Sequence, residues 1–135
     1  MASIRREIVI DASAECVWDA LRDWGGLHVR LVPGFATDAR LDGEDRIVTF
    51  SNGNVLRERL VDLDDHARRL VWSIVDPPYT HHNASAQVFA DGADRSVFVW
   101  IADFLPNELA GRAAPLMEHA LRVIKRTLEP ERPGH

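Results

Sequence analysis

Six short β-prone segments, each cut from the next by a turn signal, run in succession from residue 35 to residue 104, and a single long amphipathic stretch follows them. The segments are 35–41, 46–50, 54–62, 69–75, 83–90 and 95–104. Between them stand Asp42-Gly43, Ser51-Asn52-Gly53, Asp64-Asp65-His66, Asp76-Pro77-Pro78 and Asp91-Gly92. Asn-Gly and Asp-Gly supply the positive φ that tight hairpins require, so successive strands are expected to pair antiparallel. After Pro106-Asn107, residues 108–128 read as one helix. Ala113, Met117, Ala120, Leu121, Ile124 and Leu128 share one arc of it, and Glu118, Arg122, Lys125 and Glu129 share the opposite arc. At 1.5 Å per residue such a helix is roughly 30 Å long, enough to cross a domain. Pro115 lies inside it and is expected to disturb its regularity.

Ahead of this block, residues 3–10 carry Ile4, Ile8 and Ile10 among charged residues and read as a first strand. Asp11 and Ser13 offer helix N-caps, and Val17, Ala20, Leu21 and Trp24 follow at helical spacing up to Gly25-Gly26. A second short helix is expected over 27–32, closed by Pro33-Gly34. The order strand, two short helices, six strands, long helix gives an α+β domain. A curved seven-stranded antiparallel sheet wrapped around the last helix buries these faces economically and can leave a pocket between sheet and helix.

Length and composition agree with one domain: 135 residues, 46% hydrophobic and 27% charged. The polar, proline-punctuated end, residues 130–135, is expected to be a flexible tail. A net charge of −5 without a Lys/Arg block argues against nucleic acid as a partner. No apolar run reaches the roughly 20 residues of a membrane span, and no secretory leader is evident, so a cytoplasmic protein is expected. The lone Cys16 is expected to be a buried thiol.

The run Glu58-Arg59-Leu60-Val61-Asp62-Leu63-Asp64-Asp65-His66-Ala67-Arg68-Arg69-Leu70, the pair Val17-Trp18 and the segment Trp100-Ile101-Ala102-Asp103-Phe104-Leu105-Pro106 stand in an order that resembles the START-like (SRPBCC) superfamily. Its polyketide cyclase/dehydrase group, the major pollen allergen and the abscisic-acid receptors are members. The resemblance spans residues 3–129 and implies a helix-grip fold around a hydrophobic cavity. It does not fix an activity, because this fold hosts carriers, receptors, cyclases and dehydratases. The tight Ser51-Asn52-Gly53 turn departs from the long gating loop of the hormone receptors, and no arginine is placed inside by strand parity.

Within this frame Glu58 is the leading candidate for chemistry. Leu56 and Leu60 share its face of the strand whereas Arg57 and Arg59 share the other, so Glu58 is expected to point inward. Without a cationic partner, burial would push its carboxyl up, towards an acid suited to dehydration or aldol-type cyclisation. The plainer alternatives are a structural carboxylate or an anchor for a ligand hydroxyl. Trp72 and Ile74 are expected on the cavity side, as are Phe98 and Trp100 with Ala102 and Phe104. That leaves Val97, Val99 and Ile101 as an outer patch that would suit a homodimer. Ala84 and Ala86 are expected to face the helix and leave space, and Met117 and Leu121 to form the helix side of the lining. Tyr79 and His82, in the loop before the sixth strand, are placed at the mouth with His81. A metal would need two more ligands, so no metal site is assigned, and no phosphate or dinucleotide motif implies a cofactor. The expected partner is a small hydrophobic or aromatic molecule, held by a cyclase/dehydratase-type enzyme or a non-catalytic carrier. A different outcome, a closed core with a surface patch, would mark a partner-binding module.

Overall fold

The structure, a computed structural model, describes residues 1–130; the expected tail beyond Pro130 lies outside the described residues. Seven strands form one antiparallel sheet: β1 (Ala2–Ile10), β2 (Ala36–Asp42), β3 (Asp45–Phe50), β4 (Val55–Asp64), β5 (Arg69–Ile74), β6 (His81–Ala90) and β7 (Ser96–Leu105). Their order across the sheet is β1-β7-β6-β5-β4-β3-β2, so the first strand pairs with the last and every other pair is a hairpin. Helix α1 (Ala14–Arg22) follows β1, and α2 (Ala110–Leu128) closes the chain. This is the expected helix-grip arrangement.

Local chemistry explains the elements. Ser13 caps α1, its Oγ accepting the Cys16 N–H at 3.1 Å, and Val17, Ala20 and Leu21 are buried on one side. Cys16 itself is exposed, contrary to expectation, because the apolar stripe of the helix passes one residue away from it. Helix α1 stops at Arg22, short of the expected Gly25-Gly26, and Trp24–Gly26 form a 3₁₀ turn instead; the expected second helix is a π turn over Leu27–Leu31. Trp18 Nε1 and the Arg22 guanidinium both donate to Asp65 in the β4–β5 turn, which fastens α1 to one end of the sheet. Helix α2 buries Met117, Ala120, Leu121, Val123 and Ile124 and carries Pro115 without a break. It is held to the β1 edge by the Arg6–Glu118 pair and by Lys125 Nζ donating to the Val9 carbonyl.

A bulge in β4 positions the middle of the sheet. Leu60 pairs with Trp72 but Asp62 pairs with Val71, so Val61 is an extra residue. Parity slips there, which keeps Leu56, Glu58 and Leu60 on the concave face and brings Leu63, opposite Leu70, to that same face. On the convex face Asp45 is clamped by Arg57 and Arg59 at 2.9–3.2 Å. Those two guanidinium groups, Arg59 foremost, hold its carboxyl below the usual carboxylate range. The anticipated outer patch is only partly present. Val99, flanked in register by Glu7 and Gln87, is buried, and Val97 and Ile101 are half-buried, whereas Val9 and Phe89 beside Val97 are exposed.

Candidate functional site

A cavity of about 250 Å³ lies between the concave face of the sheet and α2, somewhat below the roughly 300 Å³ at which small-molecule sites usually begin. Its walls come from β3, β4, β5, β6, β7 and α2, with Leu27 and Val32 from the segment after α1. Ser51, Asn52 and Asn54 of the β3–β4 turn border it, as do the exposed Leu116 and His119 of α2.

Of the expected residues, Glu58, Trp72, Ile74, Tyr79, His82, Trp100 and Met117 are brought together around this space. Ala84, Ala86, Phe98 and Leu121 are not; each is at most 3% exposed and packed in the core. The reason is pairing of large with small. Ala84 stands opposite Trp72 and Ala86 opposite Trp100, so the neighbouring indoles take up the room that the alanines leave. The space that remains open is bounded instead by Ala102, Ala113 and Ala120. Asn83 points away, into a groove on the other side of β5 and β6.

The sequence reading missed the main polar partner. Arg46 of β3 is 4% exposed and pairs with Glu58, itself 5% exposed. Its Nε and one terminal nitrogen both donate to Glu58 Oε1 at 2.8 Å. The other terminal nitrogen donates to the Trp24 carbonyl at 3.2 Å, and the guanidinium lies 3.7 Å from the centre of the Trp24 ring. Burial lowers Arg46 from its ordinary value and the Glu58 carboxylate opposes that, leaving a guanidinium that stays charged. Glu58 is therefore half of an ion pair rather than a lone buried acid. The signal was present in the sequence: Arg46 and Glu58 stand equally far on either side of Asn52, so a tight hairpin there must set them opposite one another on one face.

On the other side of the cavity, His82 is inserted where the β5–β6 ladder stops. Backbone pairing ends at Trp72 and Ala84, and beyond it the Ile74 N–H donates to His82 Nδ1 at 3.0 Å. An accepting Nδ1 puts the proton of the neutral ring on Nε2. Burial, then the neighbouring His81, pushes the imidazole down to about 4, with Asp103 opposing. The ring stacks on Phe104 and meets Tyr79 edge-on, at centroid distances of 6.4 and 5.0 Å. Burial raises the Tyr79 phenol; Arg112 opposes, and the Glu58 charge adds to the rise. Trp72 and Trp100 form a tilted pair 6.1 Å apart, and Trp100 Nε1 is a buried donor with no partner among the described residues. Among those residues no three His, Cys, Asp or Glu side chains gather as metal ligands would, and no helix is long and apolar enough to cross a membrane.

Comparison with known proteins agrees with this architecture. A solution structure from Thermobifida fusca is 30% identical, over 98% of this chain and 99% of that one, with a TM-score of 0.74. The di-domain ARO/CYC BexL is 16% identical with a TM-score of 0.80; the match covers 94% of this chain and 46% of BexL. A START superfamily protein from Mycobacterium smegmatis is 10% identical, over 92% of this chain and 97% of that one, with a TM-score of 0.71. No curated protein matches the sequence. The family described as polyketide cyclase / dehydrase and lipid transport matches residues 1–129, nearly the whole chain, and the protein belongs to that family.

Proposed function

We propose that the protein binds a small hydrophobic or aromatic molecule in the cavity under α2 and acts on it as a cyclase/dehydratase-type enzyme, with Glu58 as the proton acceptor. The observation that carries this reading is the open oxygen of Glu58. Both bonds from Arg46 go to Oε1, leaving Oε2 without a protein partner among the described residues, in a largely apolar space. With Arg46 bound to it Glu58 is not the unpartnered acid of the sequence expectation, and the role assigned to it is that of a base. Removal of a proton from carbon next to a carbonyl is the first step of both dehydration and aldol-type closure. In a dehydration the adjacent hydroxyl then leaves as water with the proton that Glu58 took up, and the Tyr79 hydroxyl and the Nε2–H of His82 can donate hydrogen bonds to it.

A buried ion pair beside two further polar side chains favours the enzyme over a pure carrier, and a partner-binding module with a closed core does not fit the open cavity. The membership of BexL in a biosynthetic pathway supports the enzymatic side by analogy. Native mass spectrometry of the purified protein identifies what the cavity retains. With that molecule as substrate, Glu58→Gln is expected to lower turnover about 10²-fold or more while binding is nearly kept. Turnover equal to that of the parent protein removes Glu58 from the chemistry, and weakened binding alone makes it an anchor.

A further inference from the structure

Three of the five N–H groups of the buried guanidinium have a protein acceptor, one on each nitrogen. Arg46 gives two nitrogens to Glu58 and the third to the Trp24 carbonyl, and one face of it is covered by the Trp24 ring. Among the described residues no other Lys or Arg lines the cavity. A carboxylate or phosphate on a ligand therefore finds the Arg46 charge already balanced by Glu58 and meets the open oxygen of Glu58 beside it. Beside a carboxylate that is itself 5% exposed that approach is costly, because like charges are poorly screened there. A ligand ammonium has the opposite fault. It adds a net charge to a pair that is already balanced, and that charge stays buried. An uncharged hydroxyl satisfies Glu58 and adds no charge. The indole rings of Trp72 and Trp100 meanwhile border the same space and suit an aromatic molecule.

We propose that Arg46 is a specificity-determining residue of this cavity: by engaging one oxygen of Glu58, with its charge already balanced there, it selects an uncharged aromatic molecule carrying a hydroxyl over an aromatic acid of the same size. The inference rests on the cavity being the ligand site, as proposed above, and goes beyond it by naming the charge that the ligand must lack.

The test uses 2-naphthol, 2-naphthoate and naphthalene as probes of matched shape, titrated at neutral pH and followed by the indole N–H signals of Trp72 and Trp100. Naphthol is expected to bind at least about tenfold more tightly than naphthoate, a difference of about 1.4 kcal/mol. In the double variant Arg46→Met/Glu58→Leu, which removes both charges together, naphthol is expected to lose its advantage over naphthalene. Naphthoate binding as tightly as naphthol, with the same indole signals moving, overturns the selectivity and leaves the cavity reading intact. An advantage for naphthol that survives in the double variant overturns the role of Arg46. If neither naphthol nor naphthalene moves either indole, the cavity reading fails and this inference fails with it.

Discussion

Two buried polar side chains, Arg46 and His82, define the interior, and each leads to a different measurable behaviour. Removing one member of a buried ion pair leaves the other charged and unpaired, which typically costs about 3–5 kcal/mol, whereas replacing both by apolar residues is often neutral or better. Glu58→Leu is accordingly expected to destabilise the protein by roughly that amount in urea unfolding, and Arg46→Met/Glu58→Leu to recover most of the loss. Equal stability of the single and double variants would show that the pair is not buried as described. His82 acts through pH. Its folded-state value is about 4 against an ordinary 6.5, so between those values the unfolded chain holds a proton that the folded chain does not. Stability from this residue is fully present above about pH 6.5 and is lost as the pH falls towards 4, by on the order of 3 kcal/mol at most. Asp45, depressed by Arg59 and Arg57, loses its contribution as the pH falls through its own, lower value, so the two windows follow one another. Histidine ring signals in NMR locate the His82 titration directly, and a midpoint near 6.5 would contradict its burial and its bond from Ile74.

At the scale of elements, α2 offers a clean test because its exposed start contains Gly111. A Cβ built there meets open space, and the residue is helical, so Gly111→Ala is expected to add about 0.5–1 kcal/mol to stability in urea unfolding. A loss would mean that the first turns of α2 are not helical in solution. The elements themselves were largely legible in the sequence. Hairpin turns punctuate the chain chemically, and the apolar arc of α2 has a period that no strand shares. What resisted reading was what depends on three dimensions. The β4 bulge at Val61 shifts parity by one residue, and nothing in Leu60-Val61-Asp62 announces it. The alanines of β6 advertise space that the cross-strand neighbours Trp72 and Trp100 then consume. Inward Glu58 was readable from the leucines beside it, but inward Arg46 needed the register of a neighbouring strand as well.

For the molecule as a whole, the cavity is a place where stability has been given up. Close-packed interiors are the rule, and an apolar space that is left open forfeits the contacts that its lining would make. Ala102 of β7 is 4% exposed, lines this space and faces it from a strand, where a β-branched residue fits the backbone. Ala102→Val therefore fills part of the cavity without touching Arg46, Glu58, Tyr79 or His82. At about 0.8 kcal/mol per buried methylene, the variant is expected to gain on the order of 1 kcal/mol in urea unfolding. The same two added carbons occupy room that a ligand needs, so naphthalene affinity is expected to fall at least about tenfold. Gain in stability coupled to loss of binding is the pattern of a site kept open at the expense of the fold. A destabilised variant would mean that the wall at Ala102 is already closely packed, and a stabilised variant with unchanged naphthalene affinity would place the ligand elsewhere than against β7.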